Sequence, residues 1–338
     1  MTRRKIHEIR LASFVEEKFR PDDFEVVQTE IDTALGDGQV LVKALRFGLN
    51  AGLANRISGG SGPSTRTQMA VGEVPQSDAV MEVIESKAES FSPGDLVVQQ
   101  WASWRTEDVV PASELRRVRD DVRDLPLEYH LTVLGHVGFT GWVGLAQVGQ
   151  VEPEDVVFVS AASGGVGSCV VQFTAAKGAR VIGSAGSAEK AALVEALGAD
   201  SCINYREGDP AQLLGAAAPD GITLYFDNVG GPLLEAALDQ LQMHGRVVIC
   251  GAVSQYGQSS PQGPSNYLRM ISHELTMRGF TVTEHEDLRA AFEQEVGSWI
   301  RDRTVTSLHT VFEGFDRVPE AFAAQLGGGT RGRVIVAV

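Results

Sequence analysis

Cysteine is scarce in this chain, with three thiols in 338 residues, Cys169, Cys202 and Cys250, and none earlier than Cys169. An odd, widely spaced set makes no disulfide framework. No thiolate stands early enough for a Cys-ligated zinc site in the N-terminal region. The three lie in apolar, strand-like or helix-like contexts and read as buried, inert thiols. The seven histidines show neither H-x-x-x-H nor H-E-x-x-H spacing, so no metal is expected. Long apolar runs are also missing. Nothing approaches the ~18 residues of a membrane span, and the basic start MTRRKIHEIRLAS leads into no apolar segment of a secretory signal. The expectation is therefore no membrane partner and a cytoplasmic location. Basic charge is the third shortage. Lys and Arg number 29 against 44 Asp and Glu, a net charge of −15, which argues against nucleic acid because such binding relies on Lys and Arg displacing counterions.

What is present is an ordinary globular composition, 43% hydrophobic, on a chain long enough for two cores. Up to about residue 125 the pattern is short and β-like. FEVVQTEI, QVLVKALRF, AVMEVIES and DLVVQQWASW are separated by GDG, SGGSGP and SPGD. LEYHLTVLGHVGFTGWVGLAQVG then shows helical spacing interrupted by glycines. From residue 155 strands and helices alternate strictly. VVFVS, ARVIGSA, SCINY, ITLYFDNV, GRVVICGAV and TMRGFTV read as strands; VGSCVVQFTAAKG, SAEKAALVEALG, DPAQLLGAAA, GPLLEAALDQLQ, PSNYLRMISHEL and DLRAAFEQEVGSWIRD read as helices. That is an α/β chain with a doubly wound parallel sheet. The C-terminal stretch ends in a helix, a Gly-rich turn and a strand that suits either domain.

The segment SAASGGVGS, between VVFV and CVVQFTAA, holds the chemistry. Ala162, Gly164 and Gly167 occupy G-x-G-x-x-G positions with Ala first, with Gly165 and Val166 between them. Such a turn needs a tight bend, a bare backbone where pyrophosphate approaches, and close helix-to-strand packing at the last glycine. The following helix offers N–H groups and the positive end of its dipole. The second strand reaches its tip at Ala185, Gly186 and Ser187, with Lys190 one turn further on. An NAD enzyme usually carries an acid at such a tip; here a hydroxyl, bare backbone and a cation suit a 2′-phosphate. NADP(H) is the expected cofactor, although spacing alone also allows Lys190 a solvated helix face.

VSAASGGVGS, GSAEKAALVEALGAD with INY, YFDNVGG, GRVVICGAVSQYG and MRGF resemble the zinc-independent medium-chain dehydrogenase/reductases. The resemblance is to the prostaglandin reductase, double-bond reductase and curcumin-reductase-like branch. It implies a GroES-like β domain over 1–126, completed by about 308–338, and a Rossmann domain over 127–307. It further implies a homodimer, NADPH, and reduction of a carbon–carbon double bond conjugated to a carbonyl, with a small enone or enal as substrate. Lys190 and Tyr205 match residues that hold the 2′-phosphate, and Asn228 one that touches the cofactor. Cys250 and Gly251 fall in the turn near the nicotinamide, Thr330 at a further cofactor position, and Tyr256 matches the tyrosine near the reacting carbonyl. Tyr205 would also serve as packing and Tyr256 as an interface residue.

Three departures bear on the substrate pocket, for which the resemblance points to Asn50, Gly52, Trp142 and Tyr256. Where relatives read near S-V-D-P-Y-M-R, this chain has FGLNAGLANR, losing a phenol and a guanidinium and disfavouring carboxylate-bearing substrates. Thr330 replaces an Asn, giving up the amide's paired donor and acceptor. Trp142 replaces a Tyr. Quinone reduction on the same fold, or a non-redox role for the cofactor domain, are the competing readings.

Overall fold

The computed structural model describes residues 3–14, 19–57, 68–255 and 262–338. Its chain divides into two compact units, Met1–Leu131 with His309–Val338, and Thr132–Leu308.

Unit 1 opens with an antiparallel pair, β1 (Arg3–Leu11) and β2 (Phe24–Asp32). Then come β3 (Gln39–Gly48), the one-turn helix α1 (Ala54–Ile57), β4 (Gln76–Ser86), β5 (Leu96–Ser103), β6 (Glu107–Pro111) and β7 (Leu115–Arg117). In unit 2, α2 (His136–Val143) precedes β8 (Val156–Val159), α3 (Gly165–Ala176), β9 (Arg180–Ala185), α4 (Ala188–Ala196) and β10 (Ser201–Asn204). The second half of that unit holds α5 (Pro210–Ala217), β11 (Ile222–Asp227), α6 (Gly231–Gln240), β12 (Leu241–Ile249), α7 (Arg269–Ser272), β13 (Thr276–Gly279) and α8 (Arg289–Arg301). The chain returns to unit 1 with β14 (His309–Glu313), α9 (Val318–Leu326) and β15 (Arg333–Ala337).

The larger sheet of unit 1 runs β14-β15-β3-β4-β5-β7, with β6 also on β3. β15 pairs antiparallel with β3, Ile335 opposite Gly48, so the last strand completes the β unit. Its core gathers Trp104, Phe24, Phe47 and Phe322. The Trp104 indole N–H donates to Ser77 Oγ at 2.9 Å, which keeps a fully buried ring satisfied.

Unit 2 is a six-stranded parallel sheet, β10-β9-β8-β11-β12-β13, the strand order of a Rossmann sheet. Its central strands are buried on both faces, Val157, Phe158 and Val159 in β8 and Leu224, Tyr225 and Phe226 in β11. That explains their unbroken apolar runs. Each such side chain contributes about 1.5–3 kcal/mol on leaving water. The order reverses between β8 and β11, and the crevice outside the carboxyl ends of strands at such a reversal is where α/β sheets bind ligands.

Two segments differ from expectation. The glycines of the 127–149 region do not end its helix, since α2 runs through Gly138 and Gly141. They permit close packing instead, for a Cβ on Gly144 would lie 2.5 Å from the Phe226 ring. PSNYLRMISHEL forms only the single turn α7. Met270 packs on the core while Tyr267, Leu268 and Ile271 are exposed, so no continuous face is buried to stabilise a longer helix.

Candidate nucleotide-binding and active site

The first turn of the sheet is built by close backbone contact. Ala161 adopts a left-handed φ of 49°, a strained geometry for a residue with a Cβ. Its carbonyl oxygen accepts the Gly164 N–H at 2.9 Å. That oxygen would lie 2.2 Å from a Cβ on Gly167, so this position accepts only glycine. Ala162 is fully buried, and its N–H donates to Ser184 O of β9 at 3.0 Å, fastening the turn to the neighbouring strand. Gly164 is the N-cap of α3 and brings no side chain to cap it. The N–H groups of Gly165, Val166 and Gly167 therefore form an uncapped helix start suited to phosphate oxygens.

A second feature lies at the tips of β9 and β10. Ser187 caps α4, its Oγ accepting the Lys190 N–H at 3.3 Å. A Cβ on Gly186 would lie 2.7 Å from Tyr205 Oη and 3.4 Å from Arg206 Nε. The phenol and the guanidinium thus lean over a bare glycine, with the guanidinium carbon 5.9 Å from the Tyr205 ring centre. Lys190 stands in the first turn of α4, just after Gly186 in the chain. Of the anticipated Gly186, Ser187, Lys190 and Tyr205, the fold brings Gly186 and Tyr205 together at adjoining strand ends and sets Ser187 and Lys190 at the start of α4. Arg206 was missed; its signal was a basic residue directly after the tyrosine of INYR. A phenolic O–H, cationic side chains and backbone N–H groups, with no carboxylate at positions 185–187, form a donor set that fits a phosphate monoester.

The third feature joins the ends of β8, β11 and β12. Asn228 donates its N–H to Ser160 Oγ at 2.9 Å and its side-chain Nδ2 to Ser160 O at 2.8 Å. The amide oxygen of Asn228 is thereby turned away from that contact. Cys250 and Gly251 donate their N–H groups to Asp227 O at 2.9 and 3.1 Å. Burial first, and the Asp227 charge second, push the Cys250 thiol up to about 12. Burial and Glu195 do the same for Cys202. Cys169 is buried inside α3 with its sulfur against Gly165 O. None of these thiols is poised as a nucleophile.

Asp227, missed in the sequence, is 1% exposed and receives Tyr225 Oη, Val229 N and Gly230 N on one carboxylate oxygen, each at 2.8 Å. Burial raises its carboxyl above the ordinary range, and the Gly230 and Val229 N–H groups oppose that rise. An acid closing the apolar run ITLYFD was the available signal.

The other anticipated residues are engaged more locally. Trp142 is buried in unit 2, edge-on to Phe292 with ring centres 6.0 Å apart. Its indole N–H is given to Glu295, which also holds Lys177 at 2.9 Å. In unit 1, Asn50 Oδ1 accepts the Gly52 N–H at 2.9 Å and caps the turn Ala51–Leu53. Thr330 is half-buried in the Gly-rich turn before β15. Tyr256 lies outside the described residues.

Comparison with known proteins gives the family. The family described as "Zinc-binding dehydrogenase" matches residues 165–296, and "N-terminal domain of oxidoreductase" matches residues 7–118. The chain is 32% identical to (+)-pulegone reductase of Mentha piperita, covering 98% of each chain. It is 34% identical to prostaglandin reductase 1 of Mus musculus, covering 93% of each. Among solved structures, CurA from Vibrio vulnificus in complex with NADPH superposes with a TM-score of 0.90 at 28% identity, over 98% of this chain and 99% of that one. Unit 1 is accordingly the GroES-like β domain and unit 2 the Rossmann domain. The first family's description carries zinc, yet all three cysteines here lie in unit 2 and none in unit 1. The chain belongs to the zinc-independent medium-chain dehydrogenase/reductases, in the branch that includes pulegone, curcumin and prostaglandin reductases.

Proposed function

We propose that this protein is an NADPH-dependent reductase of carbon–carbon double bonds conjugated to a carbonyl. The observation that carries the cofactor half is the strand-tip cluster of Gly186, Lys190, Tyr205 and Arg206, which suits a 2′-phosphate better than a free ribose hydroxyl. The reaction half is supported by similarity over almost the full chain to proteins named as pulegone and prostaglandin reductases.

When bound, NADPH supplies a hydride to the β-carbon of the substrate. The uncapped start of α3, from Gly164 to Gly167, would bind the pyrophosphate. Ser187, Lys190, Tyr205 and Arg206 would fix the adenosine end. Asn228, with its amide oxygen directed away from Ser160, would accept a hydrogen bond from the nicotinamide side, where Cys250 and Gly251 offer a small, bare turn. Tyr256 is the proposed donor to the carbonyl oxygen as negative charge gathers there. Asn50 and Gly52 are proposed to contact the substrate and Thr330 the cofactor. Trp142 would contribute a ring face, since its N–H is already given to Glu295. A homodimer is part of the proposal, supported by β13 being the outermost strand of its sheet among the described residues and by exposed Tyr267, Leu268 and Ile271; light scattering after gel filtration tests it.

The decisive assay measures NADPH oxidation with a panel of enones, enals and aryl-substituted enones, alongside quinones. Turnover on the conjugated alkenes with saturated carbonyl products supports the proposal. Turnover confined to quinones, or none on any substrate, overturns it.

A further inference from the structure

Asp227 does more than end a strand. Its carboxylate Oδ1 receives Tyr225 Oη, Val229 N and Gly230 N at 2.8 Å, with Ser160 Oγ at 3.3 Å, while its carbonyl oxygen receives the N–H groups of Cys250 and Gly251. One residue therefore joins the turn after β8, the turn between β11 and α6, and the turn after β12. The frame extends further along the chain: Val253 N donates to Asn228 O at 3.2 Å and Ser254 N to Val229 O at 3.1 Å. Tyr225, fully buried and stacked on Phe158 with ring centres 5.1 Å apart, holds its phenol where no water can replace it. Burying an acid is costly unless its lone pairs are filled. Here every named donor to the carboxylate comes from a neutral group: Ser160, Val229 and Gly230 stand in the turns after β8 and β11, and Tyr225 in β11 itself.

We infer that Asp227, with Tyr225 and Ser160, is a positioning residue that holds Asn228 and the Cys250–Gly251 turn in register for the nicotinamide half of the cofactor. This rests on the NADPH reading above. The adenosine half is held by different strand tips, so the two halves of the ligand answer separately to mutation. Removing one hydrogen bond from the frame loosens Asn228 and its neighbours, and the nicotinamide half loses its partners.

The test compares calorimetric dissociation constants for 2′,5′-ADP, which carries only the adenosine and its phosphates, with those for NADP. The proteins are wild type, Asp227→Asn, Tyr225→Phe and Ser160→Ala. Expected is a 2′,5′-ADP affinity within about twofold of wild type in each folded variant, and NADP binding weakened about tenfold. The advantage of the whole cofactor over its fragment then shrinks. Should Asp227→Asn fail to fold, Tyr225→Phe removes a single donor and decides the matter. Parallel weakening of both ligands, or no change in either, overturns the inference. Wild type that binds 2′,5′-ADP and NADP but reduces no enone would refute the proposed reaction and leave this binding comparison valid. Wild type that binds neither would refute both.

Discussion

Asp78 in the β unit, at 4% exposure, and Asp227 in the Rossmann unit, at 1%, are both almost fully withdrawn from water, and they are accommodated in opposite ways. Asp78 is paired with a buried guanidinium, Arg333, which also donates to Gly48 O at 3.0 Å. Asp78 Oδ2 and Arg333 Nε have no hydrogen-bond partner among the described residues. Among the described residues no cation pairs with Asp227, whose carboxylate instead takes hydroxyl and backbone amide donors. The contrast teaches what each unit uses its buried polarity for. In the β unit a charge pair locks β15 onto β3 and β4, and its removal is a stability matter. In the Rossmann unit neutral hydrogen bonds arrange turns, and their removal is a binding matter.

The largest effect expected from breaking this contrast is in the β unit. Arg333→Ala leaves the Asp78 carboxylate buried and unpaired, and should cost about 3–5 kcal/mol in denaturant unfolding. The double replacement Asp78→Leu with Arg333→Met should recover most of that loss; failure to recover would mean that Arg333 acts through more than its pair.

Next is the response of the same unit to acid. His130 is 3% exposed, and its Nε2 has no hydrogen-bond partner among the described residues. Burial first, and Arg116 second, lower its pKa to about 4 from an ordinary 6.5. The folded state thus keeps the ring neutral while the unfolded chain takes up a proton below about pH 6.5, so stability falls with pH from there to about pH 4 and this loss then stops. The full amount is about 3 kcal/mol. His130→Phe should flatten that part of the stability profile, and an unchanged slope would assign the acid response elsewhere.

Smaller effects are expected at the strand tips of the Rossmann unit, and in affinity rather than stability. Lys190→Ala and Arg206→Ala should each raise the dissociation constant for NADPH by about tenfold while leaving NADH nearly unchanged, measured by fluorescence titration. Equal effects on both cofactors would remove that residue from the 2′-phosphate site. The smallest effect is again one of stability: Ser187→Ala removes the N-cap of α4 and should cost about 1 kcal/mol in denaturant unfolding.

How far the molecule could be read beforehand follows the same division. The parallel sheet, the glycine turn after β8 and the meeting of Gly186 with Tyr205 were legible because they depend on local features: apolar runs, glycines required by backbone contact, and the ends of neighbouring strands. Gly167 shows why, since the oxygen 2.2 Å from its missing Cβ belongs to the same turn. The role of Asp227 and the Arg333–Asp78 pair were not legible. An acid after an apolar strand looks the same in sequence whether it opens a solvated turn or gathers donors from three loops. Arg333 meets Asp78 across 255 positions, a separation no local pattern reports. PSNYLRMISHEL carries helical spacing but becomes a single turn, because its exposed Tyr267, Leu268 and Ile271 find no partner within the chain's described residues.

The central claim is that the turns of the Rossmann unit present NADPH for hydride delivery to an activated alkene. The most direct measurement follows the label when NADPH deuterated on its reactive carbon is incubated with the enzyme and an enone, and the product is examined by NMR. Deuterium on the β-carbon of a saturated ketone is the predicted result. Deuterium on the carbonyl carbon of an allylic alcohol, or its absence from every product, would contradict the account.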